Sequence, residues 1–487
     1  MVPCSEVKRL LTICLFVTLA ITFASAQQRR LCDRELHRAH TRGTKVTSSS
    51  VSTLEGEVRV PVVFAAFQDV PFATPDIVEK WDDMLNKSGF SKNGAAGSVA
   101  DYFKIQSGGK FKIHFDVFGP VTLPDSMKYY GANKWGDDVN PEEMIHDACL
   151  ATDADFSPYD WDGNGVIDVV MVVFAGYGEN RGGSSDAIWP HKFNIYDDME
   201  VGDLTLYSYA CVSELDGRGE MDGYGTFCHE FSHCLGLPDL YPDDKTVFSY
   251  FDEWDLMDGG NYANNGWSPP HYSAFERHIC GWFDFTELKE ATTITDMVSF
   301  DEEPLAYIVR NDADKEHYYI LENRQQCGFD AYVPGNGLLI TLVNNFDGTL
   351  FPNSYSSRPQ VTLVTADNRT YRESEAFFGT GDQGKYTADG RNRYLSLAAY
   401  PYVDDETVNN HLTEISVPAM AFNKPITNIT MDDDGHISFD FLKGEAAVRS
   451  ALRDEITDIW YDLQGRRLDG RPLRKGVYIY QGKKVAL

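Results

Sequence analysis

The chain has 487 residues, enough for two or three separately cored domains, and sets 74 acidic side chains against 43 basic ones for a formal net charge of −31. That balance disfavours nucleic acid or an anionic membrane as the main partner, because both demand a basic surface. It suits a soluble exported protein, including one that binds Ca²⁺.

In chain order, Lys8 and Arg9 precede an apolar stretch from Leu10 to Phe23 and the small residues Ala24-Ser25-Ala26. This is the layout of a secretory signal peptide over residues 1–26, too short in its apolar part for a membrane span. No later run is apolar enough to cross a bilayer. Residues 27–57 are basic, then Ser/Thr-rich, with no period, and read as a propeptide or linker. Nine cysteines, two of them in the leader, leave an odd number at irregular spacing, which is no disulfide framework. Val58 to Phe67 reads as a buried strand, Asp76 to Asn86 and Val99 to Ile105 as helices, and Lys112 to Phe118 as an alternating strand.

Asp160-Trp161-Asp162-Gly163-Asn164-Gly165-Val166-Ile167-Asp168 follows. Asp160, Asp162, Asn164 and Asp168 supply oxygens at the spacing of a calcium loop, with glycine at the turn. Met171 stands where such a loop needs its bidentate acid, so a calcium site would have to be closed from elsewhere; an Asx-rich turn is the plainer reading. Val166 to Ala175 is the strongest strand signal and belongs centrally in a sheet.

Residues 228–239 then read C-H-E-F-S-H-C-L-G-L-P-D, the pattern H-E-x-x-H-x-x-G-x-x-D. On a helix His229 and His233 share a face and can offer two imidazoles to one Zn²⁺. Glu230, beside that face, can reach a zinc-bound water as general base. Gly236 permits a sharp turn that brings Asp239 back as a carboxylate ligand, and three protein ligands with an open position mark a catalytic zinc site. Cys228 and Cys234 lie off the ligand face and read as small packing residues.

Alternating strands and helices before this point predict an α/β sheet with the motif helix packed on it, in residues 58–290. Residues 291–445 turn β-rich, with short strands at AYIVRN, YYILENR, GLLITLV, QVTLVT and HISFDF, and are expected to form a second, sandwich-type domain. The tail, 446–487, is locally basic and pairs two hairpin-like segments.

With the motif in hand, the neighbouring residues resemble the immune inhibitor A-like metallopeptidases, a metzincin-related group. Gly225 to Tyr241 is similar to their zinc motif, Ser268 to Trp282 to the helix that follows, and Gly97 to Phe103, Gly119 to Val121 and Leu321 to Gln325 to further segments. The resemblance spans residues 58–345 and weakens after Leu342, where Val343-Asn344-Asn345 replaces a histidine-containing continuation. It implies a metzincin-like fold, Met257 as the Met-turn methionine, and zinc-dependent endopeptidase activity on protein or peptide substrates. It also implies His229, His233 and Asp239 as ligands, with Glu230 as base. Gly259 stands where many metzincins carry an oxyanion-supporting tyrosine; Tyr241, Tyr262 and Tyr272 are candidate stand-ins, each also readable as a packing or surface residue, and the oxyanion partner is unassigned. Leu206 to Leu215 is placed like the edge strand to which a substrate adds. Cys32 or Asp33, in the propeptide segment, could block the zinc before processing. The tail resembles the C-terminal sorting domains of type IX secretion, which would allow surface anchoring.

These readings point to a secreted or cell-surface zinc endopeptidase. The competing reading is an inactive protease-like surface protein whose β domain binds a host or glycan ligand, and intact Glu230 argues against it. A zinc amidase acting on non-protein substrates is a third.

Overall fold

The computed structural model describes residues 54–443 apart from 243–248, 350, 370–372, 374–384 and 405–407, together with short backbone strands between 460 and 486. The expected signal peptide, residues 27–53 of the expected propeptide or linker with Cys32 and Asp33, and most of the tail lie outside the described residues. The last residues of that segment belong to the fold instead, with Leu54 buried in the core and Gly56 and Glu57 opening the first strand.

Nine main elements build the first unit around a five-stranded sheet. The first seven are β1 (Gly56–Ala66), α1 (Ile77–Asn86), α2 (Val99–Gln106), β2 (Phe111–Thr122), α3 (Pro141–Leu150), β3 (Val170–Tyr177) and β4 (His191–Asn194). β5 (Ser208–Leu215) and the motif helix α4 (Gly225–Cys234) complete it. The sheet order is β2-β1-β3-β5-β4, parallel throughout except for β4. Its central strands are apolar on both faces, as a covered parallel sheet requires. Val60, Val62 and Phe64 face one core with α1, α2 and α4, and Val63 and Ala65 face another with α3. The helix signals are local. α2 opens with a capping box in which Ser98 Oγ accepts the Asp101 N–H and the Asp101 carboxylate accepts the Ser98 N–H.

Two expectations need correction. The segment 166–175 is not one strand: Val166–Ile167 pairs with Leu204–Leu206 in a small separate sheet, and β3 starts only at Val170. Between them Asp168 is tied off the ladder, its N–H donating to Tyr159 O and its carboxylate accepting the Trp161 N–H. Nor is 206–215 an edge strand, because β4 pairs antiparallel along the first half of β5, from Ser208 to Cys211. The edge of the sheet on that side is β4.

The β-rich half contains a second five-stranded sheet and a three-stranded one. After the short helix α5 (Ala274–Ile279) come β6 (Thr286–Glu287), β7 (Thr292–Met297), β8 (Ala306–Arg310), β9 (His317–Arg324), β10 (Gly337–Asn344) and β11 (Val361–Leu363). β12 (Ile426–Met431) and β13 (Ile437–Phe441) follow. The sheet orders are β11-β10-β9-β8-β6 and β7-β13-β12. Period-2 alternation in β9 explains how they pack. Tyr319 and Leu321 join a core with Met297, Ile437 and Phe439 from the smaller sheet. Tyr318 and Ile320 join the same buried cluster as Phe227 and Phe231 of α4. One hydrophobic core therefore runs from β1 through the motif helix to Ala399, across the boundary expected near 290.

Candidate metal centre

Helix α4 has two working faces. Phe227 and Phe231, one turn apart, point into the core; Phe231 meets Phe103 of α2 at 5.0 Å between ring centroids, and Phe115 of β2 meets both. His229 and His233 occupy the other face, about half a turn away at 100° per residue. All residues from Gly225 to His233 are buried. The start of the helix is pressed against the 260–266 loop so closely that a Cβ on Gly225 would lie 2.1 Å from Asn261 O.

The helix ends in a Schellman motif: Leu237 N–H donates to Ser232 O at 3.1 Å and Gly236 N–H to His233 O at 3.0 Å. Gly236 takes φ +95°, a left-handed value that a side chain would strain. The reversed chain then delivers Asp239 to the histidines, as the spacing led us to expect.

His229 Nε2 and His233 Nε2 stand 3.2 Å apart, and each lies 3.3 Å from Asp239 Oδ1. Among the described residues these three form the sole convergent group of potential metal-ligating side chains. Both Nδ1 atoms are already committed: His229 Nδ1–H donates to Leu256 O and His233 Nδ1–H to Leu237 O, each at 2.8 Å. Neutral rings so held turn their Nε2 lone pairs inward, towards a buried Asp239 Oδ1 that has no hydrogen-bond donor. Three electron pairs meeting in a buried triangle repel one another unless a proton or cation sits among them. The triangle also has the right size. A tetrahedral ion with bonds of about 2.0 Å spaces its ligands about 3.3 Å apart, the observed edge. Burial pushes the Asp239 carboxyl up, but His233 and then His229, when protonated, outweigh it and hold the carboxyl below the ordinary carboxylate range. The donor set of two imidazoles and a carboxylate fits a divalent zinc ion.

The surroundings brace this geometry. The turn at 255–258 presents consecutive backbone carbonyls: Leu256 O takes the His229 proton and Met257 O takes the Leu240 N–H at 2.9 Å. Met257 is fully buried in the hydrophobic core. Tyr241 O–H donates to Asp239 Oδ2 at 2.9 Å, which orients the carboxylate. That role was missed from sequence, where Tyr241 stood only as an oxyanion candidate; its spacing of two from Asp239 was the available signal. The other two tyrosines are engaged elsewhere, Tyr272 with Ser232 Oγ behind the helix, and Tyr262 as acceptor from Asn180 Nδ2 and under the Arg181 guanidinium. Glu230 is fully buried beside His229 in sequence.

In the 160–168 loop the side-chain oxygens meet backbone N–H groups. Asp160 accepts N–H groups from Gly163, Asn164 and Gly165, Asp162 accepts that of Asn164, and Asn164 Oδ1 accepts that of Val166. These hydrogen bonds hold the Asp160 carboxyl below its ordinary range. The oxygens shape the turn and do not converge with a third acidic group.

Comparison with known proteins agrees with the site. Residues 77–280 match the family model of the immune inhibitor A peptidase M6 catalytic domain. The pre-pro-metalloprotease PrtV of Vibrio cholerae serotype O1 is 29% identical over 222 residues, covering 37% of this chain and 23% of that protein. Immune inhibitor A of Bacillus thuringiensis subsp. alesti is 28% identical over 232 residues, covering 38% and 33%. A putative secreted metallopeptidase of Arthroderma benhamiae is 27% identical over 226 residues, covering 39% and 32%. The chain thus spans between a quarter and a third, about, of the length of the curated relatives it matches. The His229–His233–Asp239 triangle lies within the segment, residues 77–280, that is similar to the immune inhibitor A peptidase M6 catalytic domain.

Proposed function

We propose that this protein is a secreted or cell-surface zinc-dependent endopeptidase, with His229, His233 and Asp239 as the ligands and Glu230 as the general base. The observation that carries the reading is the buried triangle of inward-facing Nε2, Nε2 and Oδ1 atoms, whose ring protons are spent on backbone carbonyls. A metallopeptidase family match over the same residues supports it.

Bound zinc would polarise the scissile carbonyl and acidify the attacking water. Glu230 accepts the proton of that water and passes it to the leaving amide nitrogen. Leu256 O and Leu237 O keep the two rings in the ligating tautomer, and Tyr241 keeps Asp239 turned towards them. The N-terminal leader, the blocking of the site by Cys32 or Asp33 before processing, and sorting through the tail belong to the same reading, supported by their sequence patterns. A calcium role for Asp160, Asp162, Asn164 and Asp168 rests likewise on spacing alone.

Zinc content and casein cleavage of the processed protein, beside Glu230→Ala, test the proposal. Stoichiometric zinc in both proteins, with cleavage only by the unmutated one, is the expected result. Zinc without cleavage of any polypeptide by the unmutated protein would favour the binding-protein reading.

A further inference from the structure

We propose that Asn353, outside the segment matched to the peptidase family, is a positioning residue of the metal centre that clamps the Asp239 loop from the β-rich half of the chain. The inference rests on the metal-centre reading above and extends it to a residue that no motif marks.

Asn353 is fully buried and every part of its amide is used. Its Nδ2 donates to Leu240 O and to Val361 O, both at 2.7 Å, while its Oδ1 accepts from Gln360 N–H and Val361 N–H at 3.0 Å. Only a primary amide of this length supplies two donors and an acceptor in that arrangement. Leu240 directly follows the ligand Asp239. Its N–H donates to Met257 O, one residue beyond the carbonyl that holds His229. Leu240 is therefore pinned on both sides, by the 255–258 turn through its N–H and by Asn353 through its C=O.

The clamp has a rigid base. Val361 begins β11, which is paired to β10, and β10 to β9, in the sheet that shares a hydrophobic core with α4. The same half also grips the chain just before the 255–258 turn. Trp254 Nε1–H donates to Leu395 O at 2.9 Å, and Asn392 Nδ2 donates to Asp252 Oδ2 at 2.7 Å. Both loops that build the metal centre are thus held by residues beyond position 350, although the family match ends at 280. Metal ligands must be held to about half an ångström, and a ligand carried on a turn depends on what fixes that turn.

The experiment uses the full processed protein with Asn353→Asp and Asn353→Ser. Asn409→Asp is the control, a buried asparagine of the same half whose Nδ2 donates to Ala366 O and Val417 O instead. Zinc affinity is read by chelator competition, the melting temperature on metal-free protein, and ligand geometry from the visible absorption of the Co²⁺-substituted forms. The Asn353 variants are expected to lose zinc affinity by about tenfold and to show an altered Co²⁺ spectrum. Asn409→Asp should lose melting temperature with its zinc affinity and Co²⁺ spectrum intact. Three results would overturn the proposal: wild-type zinc affinity in the Asn353 variants, an equal loss in Asn409→Asp, or failure of both Asn353 variants to fold, which would make the residue a general stabiliser. If the unmutated protein binds no zinc, the metal-centre reading itself falls, and this one with it.

Discussion

Tyr241→Phe removes one oxygen from the metal centre and should weaken zinc binding without unfolding the chain. The Tyr241 hydroxyl donates to Asp239 Oδ2 at 2.9 Å, while Oδ1 faces the two imidazoles. A hydrogen bond to an ionised carboxylate contributes about 1.5–3 kcal/mol, and each ~1.4 kcal/mol is a factor of ten in a binding constant. Its complete loss from the loaded state alone would therefore cost one to two decades of affinity. The same bond is present before the metal arrives, so only its share in orienting the loaded carboxylate counts. That makes about tenfold the expected weakening and about a hundredfold the ceiling, the range found for outer partners of metal ligands. Chelator competition near neutral pH measures the zinc dissociation constant, and peptide cleavage at saturating zinc measures kcat. A raised dissociation constant with kcat largely kept is the expected pair. An unchanged dissociation constant with a collapsed kcat would refute this role and return Tyr241 to the oxyanion.

Gly236→Ala places a Cβ in open space, so its cost is backbone strain at φ +95° alone, roughly 1–2 kcal/mol of stability, read as a lowered melting temperature. No change would mean that the Schellman turn does not need the left-handed residue. Burial raises the Asp258 carboxyl to about 7, the Ser249 hydrogen bond opposes this, and the Asp252 charge adds to it. A raised carboxyl favours the fold when protonated, so this contribution is full below the unfolded value near 4 and lost as pH climbs to 7. The melting temperature of Asp258→Asn relative to wild type should therefore rise from pH 4 to 7 and level off above; a flat difference would contradict the buried acid. If the 160–168 loop binds calcium, added Ca²⁺ should raise the melting temperature of the wild type and not of Asp160→Ala, and an equal shift in both would dismiss the site.

The convergence of His229, His233 and Asp239 was legible because these residues are close in sequence. Helical period and a turn glycine suffice to carry Asp239 back to His229 and His233. The spacing could not reveal what fixes the rings, since Leu256 O and Leu237 O are backbone groups that any residue would supply. Strands were readable wherever alternation was undisturbed, as in β2 and β9. Reading failed at Asp168, where side-chain ties interrupt an apolar run, and at β5, where strand order depends on a non-local partner, β4. The sheets of the β-rich half were legible as strands, but the core they share with α4 was not. Alternation says that a strand has two faces and not what each face meets.

Zinc K-edge absorption spectroscopy of the processed protein tests the central claim most directly, because it reads the ligand atoms without relying on activity. Two imidazole nitrogens and oxygen ligands at about 2.0–2.1 Å, with no sulfur, is the predicted first shell. A sulfur scatterer near ~2.3 Å, or a shell without imidazole, would contradict it.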